Sequence, residues 1–255
     1  MKNSVFYFVV GSQFLYGEDT LVEIDKHSKI MVDGFNADKN IPCTVKWFPC
    51  VKTSEEIYNI MNEANNDENC AGVITWMHTF SPSKMWVKGL MALRKPYLHL
   101  NTQFNREIPW NDIDMDFMNL NQSAHGDREH GYIAARLRMN RKVVVGFWQD
   151  EDFTSQIGVW MRAAAGAAES RKLRVLRISD NMRNVAVTEG DKVEALIKLG
   201  WSVDHYGVGD IISEVEKVTE EEIDEQMLAY ENNYIFDTDN TEAVRYQARE
   251  EVAIK

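Results

Sequence analysis

The chain predicts an α/β protein: a doubly wound parallel sheet of Rossmann or flavodoxin type, followed by an incomplete second α/β unit. Short β-rich runs alternate with segments of helical period. The runs are almost continuously apolar, as strands become when helices cover both faces of a parallel sheet. Helix start and stop signals fall between them.

Strands are expected at 5–10, 43–48, 72–77, 97–100, 143–147, 173–178 and 202–206. Helices are expected between them at 20–35, 54–64, 82–93, 120–139, 154–169 and 192–199. Thr53 followed by Glu56 reads as a capping box, as does Thr219 followed by Glu222. Gly200 stands where a left-handed residue closes the helix before it. Five strand–helix units precede residue 173, so the chain divides into 1–172 and 173–255, at the charged run Glu169-Ser170-Arg171-Lys172. Beyond it only two strands are expected, too few for a buried parallel sheet, then helices near 211–217, 219–233 and 240–254. Such a chain, cut inside its second domain, would expose apolar helix positions including Val244, Tyr246, Val252 and Ile254.

Of the 255 residues, 44% are hydrophobic and 27% charged, with seven Trp, nine Tyr and eleven Phe to fill a core, which excludes global disorder. The formal charge of −12 argues against nucleic acid or an anionic membrane as partner. Residues 219–255 alone hold eleven acidic and three basic side chains, so the rest is only mildly acidic. Cys43, Cys50 and Cys70 form no CxxC pair and read as reduced thiols, not as a zinc site. No stretch approaches about 18 apolar residues, and the chain runs from its start into a strand with no signal-peptide pattern. A cytoplasmic protein is expected.

Dinucleotide, P-loop, nucleophile-elbow and zincin signatures are all missing. The unusual residues instead follow the expected strands, where open α/β sheets bind ligands. These loops are Gly11-Ser12-Gln13-Phe14-Leu15-Tyr16-Gly17, His78-Thr79-Phe80-Ser81-Pro82, Asn101-Thr102-Gln103-Phe104-Asn105, Trp148-Gln149-Asp150 and Asp180-Asn181-Met182-Arg183. Amides and hydroxyls beside aromatic rings suit a polyol, whose hydroxyls they bond while a ring covers its C–H face. Ordinary turn residues beside core aromatics would give the same composition, and both readings stand. Asp112, Asp114 and Asp116 could bind a hard cation, but such residues more often cap a helix. His125 and His130 flank Arg128 and Glu129 in what reads as a polar patch.

GSQFLYG at 11–17, HTFSPSKMW at 78–86, DIDMDFMNLNQSAHG at 112–126 and DNMRNVAVTEGDKV at 180–193 closely resemble the L-arabinose isomerase family. The resemblance extends over essentially the whole chain and is weakest in the acidic tail. It implies interconversion of L-arabinose and L-ribulose, with D-galactose as a further substrate, through an enediol stabilised by a divalent metal, typically Mn²⁺. It also implies a cytoplasmic homo-oligomer, hexamer or tetramer, with active sites between subunits.

Carried over position by position, Gln13, Leu15 and Tyr16 match the family's first substrate-pocket loop and Phe80 an aromatic wall of that pocket. Gln122 and His125 match residues presented toward the sugar across subunits, and Met182 matches a pocket residue of the central domain. The family's metal ligands, two Glu and two His, of which the Glu also transfer the proton, have no counterpart here. Residues 1–172 are thus expected to be the family's N-terminal domain and 173–255 part of its central domain, with substrate-wall residues but no metal ligands and no catalysis by the isolated chain. A non-catalytic sugar-binding or assembly module on the same fold is the alternative. A flavin binder is disfavoured, because Gln13-Phe14-Leu15 makes a poor phosphate cradle.

Overall fold

A computed structural model describes residues 4–255. The chain folds as two units, Met1–Glu169 and Ser170–Lys255. The first runs β1 (Val5–Gly11), α1 (Glu18–Ala37), β2 (Thr44–Trp47), α2 (Ser54–Asn66), β3 (Cys70–Met77), α3 (Val87–Ala92), β4 (Tyr97–Asn101), α4 (Met115–Leu120), α5 (Ser123–Arg136), β5 (Lys142–Val145) and α6 (Glu151–Ser170). Its five strands pair in the order β2-β1-β3-β4-β5, all parallel.

Successive residues of a strand face opposite sides, and β1 divides its apolar side chains accordingly. Phe6, Phe8 and Val10 join Ile24, Met31 and Phe35 of α1 and Phe153, Ile157 and Met161 of α6 in one core layer. Tyr7 and Val9 join Ile57 and Met61 of α2 and Leu90 of α3 in the other. Helices on both faces explain why all eight residues of β3 are buried. Cys43, Cys50 and Cys70 are buried as well.

Local signals act as read. Thr53 and Glu56 form a complete capping box at the start of α2. Asp114 caps α4, its Oδ1 accepting from Phe117 N at 2.8 Å, with Asp116 in the first turn. Several boundaries differ from expectation. The helix expected over 120–139 is α5, shorter at both ends (Ser123–Arg136): Leu120 closes the separate short helix α4, and Asn121 leaves helical geometry (φ −108°, ψ 54°). The helix expected from residue 82 opens instead with a 3-10 turn, Ser83–Trp86, after Pro82. Strand β5 stops at Val145 rather than 147, because Gly146 takes φ +145°, which ends extended pairing.

In the second unit β6 (Arg174–Ile178), α7 (Lys192–Leu199) and β7 (Ser202–Tyr206) are followed by α8 (Val208–Val215), α9 (Glu220–Asn233) and α10 (Thr241–Ile254). Its sheet is a single parallel pair, β6 with β7. Gly200 closes α7 in the left-handed conformation (φ 78°, ψ 10°), and Thr219 with Glu222 forms the second capping box. Helix α8 starts earlier than the expected 211, because the Asp210 carboxylate accepts from Gly207 N at 2.9 Å and fixes its first turn.

Ile223, Met227 and Ala248 form a small buried cluster between α9 and α10. This corrects the expectation for α10: Val244 packs on that cluster and Val252 is half-buried, whereas Tyr246 and Ile254 are exposed. Among the described residues no helix is long and apolar enough to cross a membrane.

Candidate functional site

In an open parallel sheet the crevice for a ligand forms where loops leave neighbouring strands toward opposite faces. The order β2-β1-β3-β4-β5 puts that point at the carboxyl ends of β1 and β3. There the two loops are tied together. Ser12 Oγ lies 2.7 Å from Thr79 Oγ1, both fully buried, and Gln13 Nε2 donates to the Phe80 carbonyl at 3.2 Å. Beyond Gln13 a single 3-10 turn, Phe14–Tyr16, carries Leu15, 82% exposed, and Tyr16, half-buried.

The start of α5 closes the other side. The His125 ring stacks on Phe80 with centroids 4.5 Å apart and planes 22° from parallel. His125 Nδ1 lies 3.3 Å from Gln122 Oε1, and Gln122 Nε2 donates to Asn119 Oδ1 at 3.1 Å. Ser123 Oγ donates to the His78 carbonyl at 3.5 Å. So close an approach requires Gly126: a Cβ there would meet Met77 Cβ at 2.9 Å and the Thr79 carbonyl at 3.1 Å. Gln13, Phe80, Gln122 and His125, scattered over more than a hundred positions of sequence, thus form one continuous ledge of two amides, an aromatic face and an imidazole.

Under this ledge His78 is completely buried, its Nε2 2.8 Å from His27 Nδ1. It stacks on Trp76 at 4.5 Å, and His27 stacks on Phe104 at 3.8 Å. Burial, with His27 beside it, pulls His78 down from the usual 6.5 to about 3, and burial lowers His27 too. Both rings therefore stay neutral at physiological pH and brace the loop after β3. Sequence reading missed His27, which lies on α1 with no motif around it and meets His78 only through the fold. Ser12 and Thr79 lay in the loops singled out, but nothing local marked them as the tie.

Two other readings change. His130 shares no polar patch with His125: it is fully buried, bonded through Nε2 to the Tyr97 hydroxyl, and held well below its usual value by burial. Met182 lies in the second unit on the loop after β6, 65% exposed, its N donating to Thr188 Oγ1 at 3.1 Å.

Residues 1–172 match the profile described as the L-arabinose isomerase N-terminal domain, and residues 174–255 match that of the L-arabinose isomerase central domain. The chain belongs to the L-arabinose isomerase family. The L-arabinose isomerase of Clostridium beijerinckii is 52% identical over 256 residues, an alignment covering 100% of this chain and 52% of that protein. The L-arabinose isomerase of Thermotoga maritima is 51% identical over 257 residues, covering 100% and 52%. That of Anoxybacillus flavithermus is 54% identical over 256 residues, covering 98% and 51%. The chain spans about half the length of the curated relatives it matches.

A metal site of the kind L-arabinose isomerase chemistry calls for does not fit the described residues. No group of three or more His, Cys, Asp or Glu side chains converges among them. Asp114 is occupied as a helix cap, and Asp112 and Asp116 are exposed beside it.

Proposed function

We propose that this chain supplies the sugar-binding wall of an L-arabinose isomerase, acting on L-arabinose and L-ribulose and accepting D-galactose, in the cytoplasm and within a homo-oligomer. The observation that carries this reading is the ledge at the ends of β1 and β3, where four residues that the resemblance assigns to the substrate pocket lie in contact. The finer assignments of Gln13, Leu15, Tyr16, Phe80, Gln122, His125 and Met182 as substrate-binding residues belong to the same proposal.

The ledge suits the task. Gln13 gives its amide N–H to the Phe80 carbonyl, which leaves Oε1 to accept from a sugar hydroxyl. The Phe80 ring, backed on one face by His125, offers its surface to the C–H side of the sugar. His125 Nδ1 is engaged by Gln122, so Nε2 is the ring atom left for a hydroxyl. Leu15, standing out from its turn, shields the bound sugar from water. Mn²⁺, in this proposal, would polarise the sugar oxygens, and no group of three or more His, Cys, Asp or Glu side chains gathers among the described residues to hold it.

Binding without turnover tests the reading. Titrating the 255-residue chain with L-arabinose should shift the His125 imidazole resonances at millimolar sugar, and Phe80→Ala should weaken that binding about tenfold through loss of an aromatic face. Unchanged His125 resonances at saturating sugar would remove the ledge from the site.

A further inference from the structure

A cavity of about 850 Å³ opens at the carboxyl ends of β4 and β5. That volume lies within the range of small-molecule sites. Its residues are different from those of the ledge, and the inference drawn from it does not depend on the isomerase reading.

Three acceptors line it. Asn101 Oδ1 and Gln103 Oε1 are buried and have no hydrogen-bond partner. Buried amide oxygens are rarely left in that state without an occupant, ligand or water, to bond them. The third is Asp127, whose side chain is only 8% exposed. His99 Nε2 lies 2.8 Å from Asp127 Oδ1, and His99 Nδ1 lies 2.8 Å from the buried Thr75 hydroxyl. The imidazole fixes one carboxyl oxygen from behind and leaves the other for an occupant. Burial raises the Asp127 carboxyl above its ordinary value, against the lowering effect of the His99 bond.

The charge at the rim is equally informative. Two arginines line the cavity. Arg106 is already engaged, bonded to Asp150 with its guanidinium 4.5 Å from the centre of the Phe147 ring. Arg128 is exposed and makes no ion pair among the described residues. Val145 and Phe147 supply an apolar side.

An occupant that satisfies all of these carries several hydroxyl donors for Asn101, Gln103 and Asp127. It also has a carbon face for Val145 and Phe147 and an anionic group for Arg128. The geometry points to a binding site for a polyhydroxylated anion, a sugar acid or a sugar phosphate, at the ends of β4 and β5.

Calorimetric titration of the 255-residue chain with gluconate, glucose 6-phosphate, neutral L-arabitol and inorganic phosphate tests this. Gluconate or glucose 6-phosphate should bind more tightly than either control, and the tighter of the two identifies the source of the anionic group. Arg128→Ala should weaken that binding by about tenfold or more, as loss of a charge-assisted bond does. Val145→Trp, at the rim, should abolish it. Both positions are exposed, so these variants keep the core, and matching urea midpoints check that they do. Phe80→Ala should leave the binding unchanged. Absence of binding by both polyhydroxylated anions would overturn the proposal and leave water as the occupant. So would inorganic phosphate or L-arabitol binding equally well, or undiminished affinity in Arg128→Ala and Val145→Trp.

Discussion

Gly126 holds α5 against the end of β3, and His125, with Gln122 bonded to it, reaches Phe80 only because Gly126 has no side chain. The atoms that an added Cβ would meet, Met77 Cβ and the Thr79 carbonyl, are close to or part of the backbone and cannot swing aside. Gly126→Ala should therefore lift α5, cost about 1–3 kcal/mol as overpacking does, and loosen sugar binding. Urea unfolding and the His125 titration would measure both effects, and a neutral substitution would contradict the close fit.

The buried histidines predict an acid-labile fold. Unfolded, each binds a proton near 6.5, whereas His78 in the fold stays neutral to about 3, and His27 and His130 are lowered as well. Below 6.5 the unfolded chain thus binds more protons than the folded one, and stability falls as pH falls. The loss is about 1.4 kcal/mol per pH unit for each histidine kept neutral. Asp127 acts in the opposite sense: its raised carboxyl contributes stability below its ordinary value that is lost as pH rises through its folded value. With three groups against one, the urea midpoint should drop between pH 7 and 5. A flat profile would mean that these rings are protonated or accessible in the fold.

At the scale of elements, signals contained in a few neighbouring residues were legible and signals made by distant contacts were not. Thr53 with Glu56 and Thr219 with Glu222 each satisfy a helix start from within four residues, and all seven strands lie within two residues of their expected bounds. The start of α5 at Ser123 rather than 120 was not legible, because Asn121 and Gln122 leave the helix through their backbone conformation alone. The ledge was legible only as a resemblance. Its polar-aromatic loops fitted turn residues equally well until the strand order brought them together.

Elements of one type also differ in burial between the units. β1 and β3 are buried almost throughout, whereas β6 alternates between exposed and half-buried residues and β7 has two half-buried residues followed by three exposed ones. Leu176, Ile178, Leu196 and Ile197 all remain substantially exposed. Amides of β6 and β7 should then exchange with solvent orders of magnitude faster than those of β1 and β3. Equal protection of the two sheets, followed by hydrogen exchange, would contradict this difference.

For the whole molecule, the family match runs through both units, yet the parts that would perform chemistry on a sugar are unevenly represented. A wall of amides, an aromatic face and an imidazole is assembled at the end of the sheet. Among the described residues no set of side chains gathers that could hold a divalent metal. As part of the proposal above, we attribute sugar binding without conversion to these 255 residues. Ketose formation from L-arabinose by the purified chain, with Mn²⁺ and in a metal-free control, tests that attribution most directly. No turnover is expected in either. Metal-dependent turnover would contradict it and would turn attention to Asp112, Asp114 and Asp116, the acidic run beside the ledge.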